Sequence, residues 1–272
     1  MEVDRMKKHS LSYYWKIYRM IIAQDIKSKM SYREDFIISM IGMVATSIAG
    51  AMTFWLVFQK FPSINGWSYY EMIFLYGFSL IAATPAQCLF DNNWNLRMQV
   101  YSGDFIKYCF RPMNLFFYYM SEIFDVKGLG QFAFGVASVC YAWVKLKLAF
   151  HWYTIFLFLA AVLSASLFVI AILNLAASAC FWIINSFFVL SLSNTLRDYA
   201  KYPITIFGNP LRAVFTFVIP IGFMAFYPSQ VFLRPGAIPV FVWFTPLFGI
   251  AFFYLSYKVW MKGAMGYNGT GS

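Results

Sequence analysis

From Leu148 to Leu196 the chain runs through 49 residues without one Asp, Glu, Lys or Arg. A lipid bilayer is the solvent in which such a run is at ease. A helix needs about 20 apolar residues to cross a hydrocarbon core, and only helices or closed barrels satisfy their backbone polar groups there. The run is long enough for two crossings. Asn185, Ser186, Ser191, Ser193 and Asn194 thin out its second half. We therefore read one span over about 152–178, followed by an apolar, amphipathic connection.

The rest of the chain agrees. Of 272 residues, 61% are hydrophobic and only 12% charged. Soluble domains carry about 45–50% apolar and about 25% charged residues. The chain departs from both values toward lipid, and its 22% aromatic content suits spans with interfacial belts. The expected fold is all-α integral membrane. A net charge of +10 would suggest nucleic acid in a soluble chain. In a membrane chain it marks the cytoplasmic side and its anionic headgroups, so the expected partner is the bilayer and not nucleic acid. Cys88, Cys109, Cys140 and Cys180 stand alone, without zinc or CxxC spacing.

Residues 11–30 have helical periodicity, with Lys16, Arg19 and Lys27 on one face and Tyr14, Tyr18, Ile21 and Ile22 opposite. That split predicts a helix lying in the interface. The basic, amphipathic start argues against a cleaved leader. Spans are expected at about 36–58, 70–90, 117–144, 152–178, 210–229 and 238–259. Thr46, Gly50 and Thr53 put small residues on one face of the first, and Pro85 is expected to kink the second. Residues 91–114 are too polar to span and too apolar to float free. They read as an interfacial segment with a short helix broken near Gly103. Around 117–144, either one long helix starts near 115 or an interfacial piece precedes a span over about 128–144.

Charge counting gives the expected orientation. With six spans and both termini cytoplasmic, sixteen Lys and Arg lie inside. Among them are Arg97, Lys107 and Arg111, then Arg197, Lys201 and Arg212. Lys60, Lys145, Lys147 and Arg234 lie outside, with Lys127 ambiguous. The positive-inside rule favours this over seven spans.

The sequence holds no GxxxxGK[ST] phosphate loop, no HExxH and no GxSxG elbow. We expect no catalytic residue, no metal and no cofactor in the chain itself. Its energy source, if it has one, lies elsewhere.

Certain motifs carry a resemblance. Tyr202-Pro203-Ile204, Leu211-Arg212, Val218-Ile219-Pro220 and Tyr227-Pro228 follow one another in the stretch 201–233, and Ser102 to Asn114 reads SGDFIKYCFRPMN. The chain resembles type-2 ATP-binding-cassette (ABC) exporter permeases, in the branch of six-span bacterial permeases. The resemblance implies separate ABC ATPase subunits, which hold the ATP and Mg. It also implies a second permease, identical or related, a pathway between the two membrane halves, and residence in the bacterial cytoplasmic membrane. It points to the interfacial helix and the loop after the second span as transmitters of ATPase motion.

On that basis Trp94, Leu96, Arg97, Asp104, Phe105 and Lys107 are expected to contact the ATPase. Glu122, Asp125 and Lys127 are candidates for a polar element near the pathway, because charge within a membrane segment is expensive; the alternative is a mutually neutralised interface cluster. The competing functions are a non-transporting membrane scaffold or anchor, and a membrane enzyme using carboxylate chemistry. The aromatic, charge-poor spans point to an apolar or amphipathic cargo.

Overall fold

The computed structural model describes residues 11–31, 33–183 and 186–267, and over them the chain is helical with no strand. Arg5, Lys7, Lys8, Asn185 and the sequon at 268–270 fall outside that range.

The long helices are α1 (Leu11–Met30), α2 (Arg33–Lys60), α3 (Tyr69–Leu89), α7 (Lys127–Lys145), α8 (Trp152–Ser178) and α12 (Thr245–Met265). Shorter ones are α4 (Asn93–Ser102), α5 (Ile106–Cys109), α6 (Leu115–Ser121), α9 (Phe187–Arg197), α10 (Asn209–Ala213) and α11 (Phe226–Leu233). Among the described residues four helical stretches are long and apolar enough to cross a membrane: Phe36–Lys60, Tyr69–Ser102, Trp152–Phe181 and Val240–Met265. α7, with Gly128, Gly130 and Gln131 in its first turns, falls outside that group.

α3 is the centre of the bundle, with every residue from Met72 to Phe78 buried. It starts on a capping box: Glu71 accepts from the Ser68 backbone N–H at 2.8 Å, and the Ser68 hydroxyl accepts from the Glu71 N–H. The helix runs unbroken through Pro85. α7 comes close to it because two glycines face each other. A Cβ on Gly77 would lie 2.7 Å from the Gly135 carbonyl oxygen, and one on Gly135 2.9 Å from that of Gly77. α2 is the opposite case. Of its described side chains only Ser47 and Phe54 are buried, and Ile38, Ile41, Met52, Trp55 and Leu56 point outward. Such a surface is at rest only in lipid or against another membrane helix.

The helix around 115–145 is split. α6 ends at Ser121, residues 122–126 are non-helical, and α7 starts at Lys127.

The 61–68 loop defines one end of the bundle. Asn65 and Gly66 both take positive φ, 48° and 78°, and close a tight turn bridged by Ile64 and Trp67. Thr205 is fastened there: its carbonyl accepts from Asn65 Nδ2 at 2.6 Å, and its hydroxyl accepts from Trp67 Nε1 at 2.9 Å. α9 therefore does not stay at one end. It begins with Phe187 against Trp94, and the 3-10 turn Asp198–Lys201 after it leads to Tyr202, whose ring packs on Phe54 at 5.5 Å. This corrects the grouping of Arg197, Lys201 and Arg212 with Arg97, Lys107 and Arg111. The segment 197–207 stands toward the 61–68 end, and Arg212 follows within α10, anchored there through Phe215 on Tyr199 and Phe207.

The stretch 210–229 is not one helix. α10 passes into a π-helical turn (Val214–Val218), then Ile219 turns extended before Pro220, the conformation favoured by a residue preceding proline. A 3-10 turn (Ile221–Met224) and α11 follow. The dip reaches the middle of α8, where Phe223 stacks on Phe168 at 5.0 Å. It then returns: Arg234 donates to the Gly66 carbonyl at 3.0 Å, lies 3.5 Å from Glu71, and covers the Trp67 ring.

Candidate functional site

A groove with a volume of about 390 Å³ runs along α3 between α2 and α9. Thr46, Ser47 and Gly50 line it from α2; Tyr76, Ser79 and Gln87 from α3; Gln131 from α7. From α9 come Leu190, Asn194 and Arg197, spaced so that they share one helical face. Gln87 lies eleven residues after Tyr76 on the helix, so the groove is about 16 Å long on α3 alone. Tyr76 donates its hydroxyl to the Ser47 carbonyl at 2.9 Å, and the missing side chain of Gly50 makes room for it.

The two ends differ in charge. Toward the 61–68 end stand Arg197 and Asp198, paired at 3.0 Å, with Lys201 over the Tyr202 ring. At the far end is Asp91, half-buried, beside Phe90, Asn93 and Trp94. Asp125, Lys29 and Lys127 are close enough to act on Asp91 electrostatically. Polar and charged side chains facing one groove in an apolar bundle mark a pathway or binding site.

The residues singled out from sequence separate into different places. Leu96 and Phe105 are wholly buried and offer no surface to a partner. Phe105 is the hub of an aromatic cluster with Tyr108, Tyr119, Phe181, Trp260 and Tyr267. Trp94 faces the groove and Phe187. Arg97 is half-buried. Asp104 and Lys107 are exposed, as are Met98, Tyr101, Phe110 and Arg111.

Glu122, Asp125 and Lys127 do not line the groove, and no ion pair joins them among the described residues. The bend at 122–126 gives Glu122 partners of its own and leaves Asp125 and Lys127 near Asp91. Glu122 accepts the Tyr108 hydroxyl and, at 3.4 Å, Asn92 Nδ2. Burial first, and then Glu122, push the Tyr108 phenol well above its ordinary range, so it stays a donor. Asn92, fully buried, also ties the Tyr119 carbonyl at 2.7 Å and accepts its hydroxyl on its own carbonyl at 2.9 Å. Asp125 takes the backbone N–H of Lys127 at 3.1 Å, while its own N–H goes to the Cys88 carbonyl. Among the described residues no group of three His, Cys, Asp or Glu is placed to hold a metal.

Sequence reasoning missed Asp91, Asn93, Gln87 and Asn194 as site residues. The available signal was the polar run Asp91-Asn92-Asn93 directly after an apolar helix.

A family model described as ABC-2 family transporter protein matches residues 41–271. No curated protein and no solved structure matches the chain.

Proposed function

The chain belongs to the ABC-2 transporter family, and on that premise we propose that it is the permease subunit of an ATP-driven exporter in a bacterial cytoplasmic membrane. In this reading ABC ATPase subunits bind ATP and Mg, and the chain itself catalyses nothing. The observation that carries the proposal is the polar groove between α2 and α9. Both flanking helices leave apolar side chains uncovered: Ile41, Met52 and Trp55 on α2, Phe188 and Leu192 on α9. A second permease, identical or related, seated on these helices would close the groove into a pathway shared by two membrane halves.

Six crossings are then α2, α3, α7, α8, α9 with its 3-10 turn, and α12, with both termini cytoplasmic. The segment 209–233 dips in and returns on the outer side. Moving Arg197, Lys201 and Arg212 outward leaves thirteen Lys and Arg inside against seven outside, with Lys127 at the boundary, so the positive-inside rule still supports the orientation.

Coupling to the ATPase falls to the exposed surface of α4 and α5. Asp104, Lys107 and Arg111 supply charge there, and Met98, Tyr101, Ile106 and Phe110 supply anchors. Leu96 and Phe105 hold that surface rigidly to the bundle. ATP-driven closure of the ATPase pair would bias the bundle between two packings.

The test is purification of the tagged chain from its native membrane in mild detergent. Co-elution of an ATPase and a second permease copy is the expected result. A solitary chain that stays folded and active without an ATPase would overturn the proposal.

A further inference from the structure

We infer that a second groove, apolar and lying between α7 and α8, holds an acyl chain of an anionic phospholipid whose phosphate sits at Lys145 and Lys147. The inference needs only that the chain spans a bilayer, and it is independent of the exporter reading.

α7 and α8 are joined by the short segment 146–151, yet they scarcely touch each other. Each packs on α3 instead: Phe74 meets Trp143 at 5.9 Å, and Phe78 meets Phe158 at 5.6 Å. The gap left between them has a volume of about 330 Å³. Val139, Trp143 and Val144 line it from α7, and Ile155, Phe158 and Leu159 from α8. Phe232 packs on two of these walls, 5.6 Å from Trp143 and 5.7 Å from Phe158. Thr154, which also lines the gap, accepts the His151 N–H at 3.0 Å. Walls this apolar lose dispersion contacts unless hydrocarbon fills the space.

One end of this groove is basic. α7 runs antiparallel to α3, since Tyr141 meets Tyr70 and Gly128 lies against Cys88. The groove therefore ends beside 146–151, at the 61–68 end of the bundle. Phe150 closes it with its ring 6.4 Å from Trp143, whose Nε1 donates to the Leu148 carbonyl at 3.1 Å. α7 stops there with the Lys147 N–H on the Val144 carbonyl and the Leu148 N–H on the Trp143 carbonyl. A helix end closed in this way needs one residue in the left-handed region, and glycine is its usual occupant. Here it is Lys147, at φ 51°. Lys147 follows Val144 by three residues and Cys140 by seven, so this costly position falls at the end of the groove's α7 wall. Lys145 stands at the same helix end, over the Tyr141 ring at 5.9 Å.

Neither lysine is neutralised. No acidic residue occurs between Asp125 and Asp198. Lys145 and Lys147 are both exposed, and no ion pair among the described residues includes them. Trp152 and Tyr153, exposed at the start of α8, mark the headgroup level. Uncompensated cations at that level, beside a slot for hydrocarbon, match a lipid phosphate with its chain in the slot. The charge selects an anionic headgroup over a zwitterionic one.

The experiment uses the full chain in phosphatidylcholine nanodiscs with two photolipids in trace amounts. Both carry a diazirine in one acyl chain. One has a phosphatidylglycerol headgroup and the other a phosphatidylcholine headgroup. Crosslinked peptides are mapped by mass spectrometry, with the exposed face of α2 around Ile48 and Met52 as the reference for bulk lipid. Relative to that reference, the glycerol lipid should label 139–159 roughly tenfold more than the choline lipid, the factor that two lysines at an anionic headgroup supply. Lys145→Gln combined with Lys147→Gly should remove the excess. Glycine relieves the left-handed position, so the melting temperature of that variant should not fall. Cys140→Trp fills the groove from α7 and should lower labelling there by both lipids, while α2 keeps its labelling. Equal labelling by the two lipids in the wild type, an excess that survives the lysine variant, or groove labelling undiminished in Cys140→Trp would overturn the inference.

Discussion

Lys29 donates from Nζ to the Phe124 carbonyl at 2.7 Å, while Asp25, one turn earlier and ion-paired to Lys29, accepts the Phe124 N–H at 3.1 Å. One ion pair on α1 thus satisfies both backbone polar groups of a single residue in the bend between α6 and α7. Tyr14 and Tyr18 add ring contacts to Phe117 of α6. α1 is thereby latched to the backbone leading into α7.

Breaking the latch should loosen α1 without unfolding the bundle. Asp25→Ala removes the acceptor and the partner of Lys29 together. The loss should be about 1 kcal/mol, the scale of a partly exposed charged hydrogen bond. Amide exchange should rise across α1 and residues 122–126 and stay unchanged in α3. Protection retained over 122–126 would show that the latch does not hold the bend.

The α3–α7 crossing makes a sharper claim. Gly135→Val would push side-chain atoms into the Gly77 carbonyl and Ile81, both of which a Cβ alone already meets at 2.9 Å. Overpacking of this kind costs about 1–3 kcal/mol. Gly42→Ala on α2 is the control, since a Cβ there meets nothing within 4 Å. Melting of the purified chain should fall clearly for the first variant and not for the second.

Much of this was legible beforehand, and the failures have physical causes. α2, α8 and α12 are set by long apolar runs, and α1 by its basic and aromatic faces. α9 was read as an amphipathic connection because Asn194 and its serines lower its hydropathy, and it is a short helix, Phe187–Arg197, outside the four long apolar stretches. Asn194 lines the groove, a placement that hydropathy alone does not reveal. Charge counting then placed Arg197 and Lys201 at the wrong end, since the rule treats every basic residue as a loop residue and these two line a groove. Around Glu122, Asp125 and Lys127 the sequence allowed one long helix from about 115 or a separate piece before a helix over about 128–144. The second arrangement is the one found, with α6 ending at Ser121, a bend over 122–126 and α7 starting at Lys127. Leu96 and Phe105 were expected at a partner surface, but both are fully buried, Phe105 within an aromatic cluster that includes Trp260 of α12.

Tyr108 gives a prediction in pH. Its phenol titrates at about 10 in an unfolded chain, and burial and Glu122 raise it in the folded one. A raised folded pKa stabilises fully below the unfolded value and is lost as pH rises past it. The wild type should therefore lose stability from about pH 10 upward more steeply than Tyr108→Phe, which has no phenol there to ionise. Below pH 9 the order reverses, because the variant leaves Glu122 with Asn92 alone. Melting curves between pH 7 and pH 11 check both signs; parallel curves would mean that the hydroxyl is not coupled to Glu122.

Phe105 and Phe110 lie five residues apart and should behave oppositely. Phe105 is 0% exposed and touches five rings of the aromatic cluster, whereas Phe110 is 79% exposed. Phe105→Ala empties a core site and should cost about 3–5 kcal/mol, in line with other buried phenylalanines. Phe110→Asp removes an apolar side chain from the surface that also carries Lys107 and Arg111, and should leave the melting temperature within about a degree, as surface substitutions do. Its effect should appear only in partner binding, as loss of ATPase co-elution, because buried apolar anchors dominate interface energetics. Comparing the two in one pull-down with a melting curve for each separates a residue that holds the surface in place from one that presents it. An ATPase that still co-elutes with Phe110→Asp at undiminished yield would move the coupling surface away from α5.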